Sequence, residues 1–265
     1  LEQFDVRLCP HGKTTMAPQL FAKQLADGAW GITVATVQQL MVCRRFGVPR
    51  VLMANQLVGR EAIRTVLAEL QADPGFEFLC LVDSLDGVAL LRRELEAMPL
   101  GRPFEVLLEG GVMGGRTGCR GIEEALAVAR AVAAAPELAL VGIEGFEDVV
   151  GGPIEEAEPK IAAFLDHLVE LARAFAREDL FAPGPVLLSA GGSKYFDQVT
   201  RAFRRADLGR PVEIVLRSGC YLSHDSRIYT DAFARLRERT PEVERLGEGL
   251  RPALELWAAV QSTPE

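Results

Sequence analysis

The sequence has no long apolar segment, no excess of positive charge and no paired cysteines. No uninterrupted apolar run approaches the roughly 20 residues that a membrane-spanning helix needs. The net charge of −8 argues against a nucleic-acid partner, because no basic stripe is available to neutralise phosphates. The cysteines are scattered, which excludes a zinc knuckle and favours the reducing cytoplasm; they are Cys9, Cys43, Cys80, Cys119 and Cys220.

Neither end of the sequence has the features of a finished chain. A strand-like run follows Leu1 almost at once, and no initiator methionine or signal peptide is visible. At the other end, Glu265 follows another strand-like run. We therefore expect the sequence to be a fragment of a longer protein.

Short apolar runs alternate with longer segments of helical period along the chain. The predicted strands lie near Val6–Leu8, Gly31–Ala35, Arg50–Ala54, Glu77–Val82, Phe104–Leu108, Ala139–Glu144, Pro185–Ser189 and Val212–Leu216. The predicted helices lie near Pro18–Ala26, Val37–Phe46, Glu61–Ala72, Leu85–Met98, Ile122–Ala135, Glu156–Ala176, Tyr195–Ala206 and Asp231–Arg239. Apolar strands that are each followed by a helix predict a parallel sheet buried on both faces.

Eight such units predict an α/β fold, a closed (β/α)8 TIM-type barrel over residues 1–245, with an open doubly wound sheet as the alternative. The pattern changes from Leu250 onward, where Pro252–Val260 could open a further strand. We expect residues 246–265 to be the first segment of a C-terminal β domain.

The unusual residues lie where the predicted strands end, which is where barrels of this kind carry their chemistry. Lys13 follows the first strand, within Pro10–Thr15. We expect its ammonium to be partly desolvated and close to a helix N-terminus, which favours the neutral amine that attacks a carbonyl. The alternative is an ordinary surface lysine. His11 either orients Lys13, contacts substrate or caps the turn.

Two loops of small residues follow the seventh and eighth strands. Ser189–Ser193 contains adjacent glycines, and its Ser193 could cap the following helix. Arg217–Tyr221 follows the next strand. Loops at these two positions commonly form a phosphate site in barrels, although each could be a plain turn.

The third glycine-rich segment, Gly110–Gly118, contains Arg116. So many glycines suggest close approach of the backbone to something, and Arg116 could bind an anionic oxygen; the alternative is a mobile loop. His167 is expected to be structural, and His224 could line the rim. No histidine has a second candidate ligand nearby in sequence, so we expect no metal site within this chain.

Four motifs together resemble the D-threonine aldolase and D-serine dehydratase-like family, and more narrowly its "amino acid deaminase" branch. They occur in the same order, at Pro10–Thr15, Gly114–Gly118, Ser189–Ser193 and Arg217–Tyr221. The resemblance extends over essentially the whole chain. It implies the architecture of alanine racemase, in which a fold-type III barrel that binds pyridoxal 5′-phosphate (PLP) is followed by a β-rich domain.

The resemblance also implies roles for individual residues. Lys13 would form the Schiff base with PLP and act as the catalytic proton shuttle beside His11, and Arg116 would contact the phenolic oxygen of the cofactor. The residues implied to hold the phosphate are Gly191, Gly192, Ser193, Ser218, Gly219, Cys220 and Tyr221. The sequence departs from the family at Phe146, where tyrosine is common.

The implied activity is that of a PLP-dependent lyase acting on D-β-hydroxy amino acids, with D-serine dehydratase-like deamination preferred. Retro-aldol cleavage of D-threonine and racemisation are alternatives, and a non-catalytic PLP-binding barrel is the alternative outside the enzymes. The relatives use a divalent metal, zinc or manganese, held by a domain outside this chain. The resemblance further implies a small-molecule D-amino acid substrate and a homodimer.

Overall fold

The computed structural model describes residues 4–150, 154–224, 228–247, 249–255 and 257–263. The chain divides into two compact units, Leu1–Gly219 and Cys220–Glu265. The first unit contains every strand, and the second is a small unit with one α-helix. None of the helices in the described part of the chain is long and apolar enough to cross a membrane.

In the first unit, eight strands alternate with seven α-helices. The strands are β1 (Val6–Leu8), β2 (Ile32–Val34), β3 (Arg50–Gln56), β4 (Glu77–Val82), β5 (Phe104–Gly110), β6 (Leu138–Gly145), β7 (Val186–Ala190) and β8 (Val212–Leu216). The helices are α1 (Pro18–Ala26), α2 (Val37–Arg45), α3 (Arg60–Ala72), α4 (Leu85–Ala97), α5 (Ile122–Ala133), α6 (Ile154–Arg177) and α7 (Phe196–Arg204).

The sheet closes on itself between its first two strands. Its order is β1-β8-β7-β6-β5-β4-β3-β2, and every pair is parallel. The ends join where the Trp30 amide donates to the Leu8 carbonyl and the Thr33 amide donates to the Pro10 carbonyl, both at 2.8 Å. The predicted (β/α)8 barrel is confirmed, and the open sheet is excluded.

The strands separate two apolar cores. The outer core lies between the sheet and the helices and includes Phe21, Phe104 and Phe175. The inner core fills the barrel and consists of Cys9, Leu52, Leu79, Leu81, Leu107, Leu187 and Val215. Because successive side chains of a strand point to opposite faces, alternate residues of each strand belong to the inner core.

One strand position in the barrel leaves no space for a side chain. Gly142 of β6 pairs with Leu187 of β7, and a Cβ added to Gly142 would lie 1.9 Å from the Leu187 carbonyl oxygen. We expect Gly142→Ala to lower the free energy of unfolding by about 2 kcal/mol, because two hydrogen-bonded strands must separate. Urea unfolding measures the change. Gly101→Ala is the control, since a Cβ there meets nothing within 4 Å; equal losses in the two variants would contradict the prediction.

The second unit contains α8 (Ile228–Arg239) between two short 3-10 helices, Cys220–Leu222 and Pro241–Leu246. Within it, the Ala253 amide donates to the Ser223 carbonyl at 3.1 Å. The described residues from 249 to 263 form no strand, so the strand predicted over Pro252–Val260 is absent from the described part of that range. The compact units divide after Gly219, and a domain boundary near residue 245 stays a prediction. That residues 246–265 begin a further β domain stays a prediction.

Candidate functional site

The inner face of the barrel becomes polar toward the carboxyl ends of the strands. Four buried polar residues each lie two positions beyond an inner position; they are Glu109 on β5, Glu144 on β6, Ser189 on β7 and Arg217 after β8. The strand register pairs Glu109 with Glu144, and Glu144 with Ser189. The alternation that fills the barrel with apolar residues therefore ends in one polar layer.

Arg217 is the centre of this polar layer. Its guanidinium donates to the Glu144 carboxylate, to Ser189 Oγ at 3.1 Å and to the Gly145 carbonyl at 3.1 Å. The Arg217 and Glu144 side chains are only 3% and 2% exposed. Burial lowers the pKa of Arg217 to about 10, so the guanidinium still carries its charge at neutral pH. The layer thus contains a charged guanidinium that is paired with a buried carboxylate.

A cavity of about 190 Å³ lies against the polar layer. Its lining contains three cations and two carboxylates, and consists of His11, Lys13, Ala35, Ala54, Asn55, Glu109, Arg116, Thr117, Glu144, Phe146 and Arg217. The fold therefore brings together three of the residues predicted to form a site, Lys13, His11 and Arg116. They come from segments more than a hundred residues apart in the sequence.

Lys13 lies on a short 3-10 helix, Gly12–Thr14, between β1 and α1. A Cβ at Gly12 would meet the Phe21 ring of α1 at 2.9 Å, so glycine lets this turn lie directly on the helix. Lys13 is exposed as a residue, and α1 begins only at Pro18, four residues after the end of the 3-10 helix. That its ammonium is partly desolvated and close to a helix N-terminus stays a prediction.

His11 precedes Lys13 and is held neutral. Burial lowers the pKa of His11 to about 3, and the positive charges of Lys13 and Arg217 act in the same direction. Its side chain makes no capping hydrogen bond to the 3-10 helix, so the capping alternative is excluded. Its buried Nδ1 atom has no hydrogen-bond partner among the described residues.

The glycines of the Gly110–Gly118 loop approach their own backbone. A Cβ at Gly111 would lie 2.3 Å from the Thr117 carbonyl oxygen, and a Cβ at Gly118 would lie 2.6 Å from the Gly111 nitrogen. The Gly111 amide donates to the Cys119 carbonyl, and the Cys119 amide to the Glu109 carbonyl, which closes the neck of the loop. The close backbone approach expected of these glycines therefore occurs between the two ends of the loop.

Two side-chain bonds fix the same loop to the barrel. Thr117 Oγ1 donates to Glu109 at 2.7 Å, and the Gly118 amide donates to Asp83 at 3.1 Å. Glu109 also accepts from Gln56 Nε2. Arg116 is thus carried on an anchored loop, with its guanidinium 5.3 Å from the centre of the Phe146 ring. Phe146 thus supplies a cation–π contact to Arg116.

The amides of the loop after β7 already hold an anion that belongs to the chain. Gly191 N–H donates to Glu147 Oε2 at 3.0 Å, and Gly192 N–H donates to Glu147 Oε1 at 2.6 Å. Ser193 does not cap the next helix, because α7 begins at Phe196 and its N-cap, Tyr195, makes no side-chain cap bond. The loop can bind an oxyanion, but none of its predicted phosphate residues lines the Lys13 cavity.

The loop after β8 divides between the two units of the chain. Gly219 lies against the Lys13 turn, since a Cβ there would lie 2.4 Å from the His11 carbonyl oxygen. The Ser218 carbonyl accepts from the His11 amide at 3.2 Å. Cys220 and Tyr221 belong to the second unit, where they lie on its first 3-10 helix. Their predicted contact with a phosphate stays a prediction.

Several buried polar atoms at this end of the barrel have no hydrogen-bond partner among the described residues. They are His11 Nδ1, Glu144 Oε2 and Ser218 Oγ. Because a buried unpaired polar group costs roughly 1–3 kcal/mol, the two of these residues that line the cavity, His11 and Glu144, fit a ligand with polar groups. The amine of Lys13 fits the aldehyde of PLP, and the guanidinium groups of Arg116 and Arg217 fit its anionic oxygens. No group of three or more metal-ligating side chains occurs within the described ranges.

Glu109, Glu144 and Glu147 were not predicted as site residues from the sequence, and Arg217 was predicted only as part of a phosphate loop. The first two have a signal in the sequence, because each lies two places beyond an inward-facing strand residue, Leu107 and Gly142. Glu147 has none, since its partners follow it by more than forty residues.

Comparison with known proteins identifies the family. The family described as "Alanine racemase, N-terminal domain" matches residues 5–211, which is most of the chain. The chain belongs to this family. Its membership confirms the resemblance drawn from the four sequence motifs at the level of family and fold. A search of curated proteins gave no match.

Solved structures of the same fold are similar at low identity. D-threonine aldolase from Filomicrobium marinum aligns with a TM-score of 0.69 and 24% identity, over 88% of this chain and 58% of that one. D-threo-3-hydroxyaspartate dehydratase from Delftia sp. HT23 aligns with a TM-score of 0.65 and 24% identity, over 84% and 56%. Alanine racemase from E. faecalis aligns with a TM-score of 0.59 and 16% identity, over 84% and 54%. The chain spans little more than half the length of each.

Proposed function

We propose that the chain binds PLP in the Lys13 cavity and forms the cofactor-binding barrel of a lyase that acts on D-β-hydroxy amino acids. The main support for this proposal is that Lys13, Arg116 and Arg217 line the same cavity. A primary amine is the group that an aldehyde needs, and guanidinium groups bind anionic oxygens strongly.

Each residue has a role that follows from its contacts. Bound PLP supplies an electron sink for the bonds to the α-carbon of an amino acid. Lys13 Nζ would hold the aldehyde carbon of the cofactor and, once replaced by the amino group of a substrate, would move the proton at the α-carbon. Arg116 would bind the phenolic oxygen. Neutral His11 can accept a hydrogen bond without adding a positive charge beside Lys13.

The phosphate remains assigned to the loops after β7 and β8. The residues proposed for it are Gly191, Gly192, Ser193, Ser218, Gly219, Cys220 and Tyr221. The support is the pair of glycine amides, which hold the Glu147 carboxylate at 3.0 and 2.6 Å and so have the geometry for an oxyanion. The proposal also includes zinc or manganese held outside this chain. It further includes a homodimer and a cytoplasmic location.

Of the possible reactions, we favour dehydration of D-serine to pyruvate and ammonia. The support is the motif resemblance to the deaminase branch, together with a fold shared with a dehydratase of a D-hydroxy amino acid. Retro-aldol cleavage is the second candidate, because an aldolase has the same fold. The parts that distinguish the two reactions lie outside this cavity.

The test is turnover by the chain loaded with PLP. D-serine and D-threonine are supplied separately, each with and without zinc or manganese, and L-serine is the control for configuration. We expect ammonia and pyruvate to form from D-serine and not from L-serine. Glycine and acetaldehyde from D-threonine would favour the aldolase. A loaded chain that converts neither substrate would contradict an enzymatic role for this chain and favour the carrier.

A further inference from the structure

The glycine loop after β7 is closed by a buried acid from the end of β6. Glu147 lies on the 3-10 helix Glu147–Val150 that follows β6, and it is only 1% exposed. Its two carboxylate oxygens take one amide each, from Gly191 and Gly192. The Gly191 and Gly192 amides, which are proposed to bind the phosphate, are thus already bonded to a side chain of the same chain.

The amide pair has the form of an anion site rather than of an ordinary turn. The N–H groups of Gly191 and Gly192 both meet one carboxylate, and Gly192 has a φ of +67°, which glycine adopts without strain. Successive amides in such a concave arrangement bind oxyanions through fixed partial charges. A phosphate offers oxygens of the same kind with more charge, and it would take the same donors.

We propose that Glu147 is a built-in competitor for this anion site: a phosphate-bearing ligand binds Gly191 and Gly192 only by displacing the Glu147 carboxylate. The inference deepens the proposed function, since the phosphate of PLP is the ligand it concerns. It assigns Glu147 a role in regulating entry to the site. A carboxylate that merely held the loop in shape would have the opposite effect on phosphate binding.

The surroundings of Glu147 connect the amide pair to the Lys13 cavity. Phe146 lines that cavity, and its ring lies against Gly191, where an added Cβ would meet it at 2.7 Å. Phe146 and Glu147 are adjacent in sequence and cover the two glycines together. Withdrawal of this dipeptide would therefore open the glycine amides toward the cavity that contains Lys13.

Burial also disfavours the ionised form of the Glu147 carboxylate, which makes its displacement by a phosphate easier. Burial raises the pKa of Glu147 to about 7, and the neighbouring Asp148 acts in the same direction, while the bonds from Gly192 and Gly191 act against it. The charged groups near it are Asp148 on the same 3-10 helix and Lys194 before α7, which pair with each other at 2.7 Å. The charged form is thus less favourable in this position than in water.

The test compares ligands with and without a phosphate on matched variants of the full chain. Glu147→Gln keeps the size of the side chain but turns one acceptor into a donor facing an amide, and Glu147→Ala removes the occupant. Asp148→Asn is the control, because it removes the charge of the adjacent residue and leaves the Gly191 and Gly192 amides bonded to Glu147. Affinities are measured for PLP, for pyridoxal and for inorganic phosphate, and circular dichroism checks that each variant folds.

We expect both Glu147 variants to bind PLP and inorganic phosphate roughly tenfold more tightly than the wild type, because the fraction of open sites rises. Pyridoxal affinity should not change, and near about pH 8, where Glu147 is ionised with or without the charge of Asp148, Asp148→Asn should match the wild type. The gain should be larger near about pH 8 than near about pH 6, since Glu147 protonates between them and the protonated acid competes less well. The phosphate's own titration affects all variants equally.

Weaker or unchanged binding of phosphate ligands by folded Glu147 variants would overturn the inference and assign the carboxylate a purely structural role. Failure of the proposed function gives a different pattern. In that case neither PLP nor pyridoxal becomes attached to Lys13 in any variant, while inorganic phosphate still reports on the amide pair. The phosphate measurement therefore decides the role of Glu147 independently of the cofactor.

Discussion

The Lys13→Ala chain is expected to carry no pyridoxyl group after incubation with PLP and reduction with borohydride. In the wild type, the same treatment should leave a stable bond between Lys13 Nζ and the cofactor carbon, because the amine opens into the cavity with Arg116 and Arg217. Mass spectrometry of the peptide that contains residue 13 measures the attachment. The expected loss is complete, since the described cavity lining contains no second lysine.

The matched control for this prediction is Lys23→Ala. Lys23 is exposed on α1 and lies outside the cavity, so its removal should leave attachment at the wild-type level. Attachment to the Lys13→Ala chain at the wild-type level, or attachment spread over all surface lysines of the wild type, would contradict the assignment of Lys13.

Glu144→Leu is expected to cost about 3 kcal/mol of unfolding free energy, because it leaves a buried guanidinium without its counter-charge. Arg217 keeps its bonds to Ser189 Oγ and the Gly145 carbonyl, but these are neutral acceptors. Glu144→Gln retains an oxygen acceptor at the same place and should cost clearly less. Guanidinium chloride unfolding of the three chains gives the difference.

The control for this second prediction is an ion pair at the other end of β8. Glu213 lies 3.7 Å from Arg7, and both side chains are partly exposed, at 30% and 58%. Exposed pairs of this kind contribute at most about 1 kcal/mol, so Glu213→Leu should be nearly neutral. If Glu144→Leu proves as mild as Glu213→Leu, the guanidinium of Arg217 is not held by Glu144 in the way described.

The barrel could be predicted from the sequence because its strands are buried on both faces. Runs such as Glu77–Val82 and Val212–Leu216 are mostly apolar, with one glutamate near the start of each, and the structure gives them the predicted bounds. The predicted fifth strand was too short, because β5 continues past Leu108 through the inward-facing Glu109 to Gly110. The predicted sixth strand already included Glu144, and β6 differs from it by one residue at each end.

The site was only partly predictable, for reasons that differ between its residues. Lys13 and Arg116 could be identified because they stand in glycine-rich segments after strands, and the cavity contains both. The exposure of Lys13 could not be foreseen, since it depends on how far α1 begins from the turn. The pairing of Glu147 with Gly191 and Gly192 depends on two neighbouring strands lying side by side, which no local pattern reports.

The closed neck of the Gly110–Gly118 loop bears on how this barrel could diversify. Its two ends bond to each other at Gly111 and Cys119, so the neck is closed by residues outside the tip. Met113, at the tip, is 86% exposed. Evolution or laboratory selection could therefore lengthen or rewrite the tip to admit a different molecule while the scaffold stays intact.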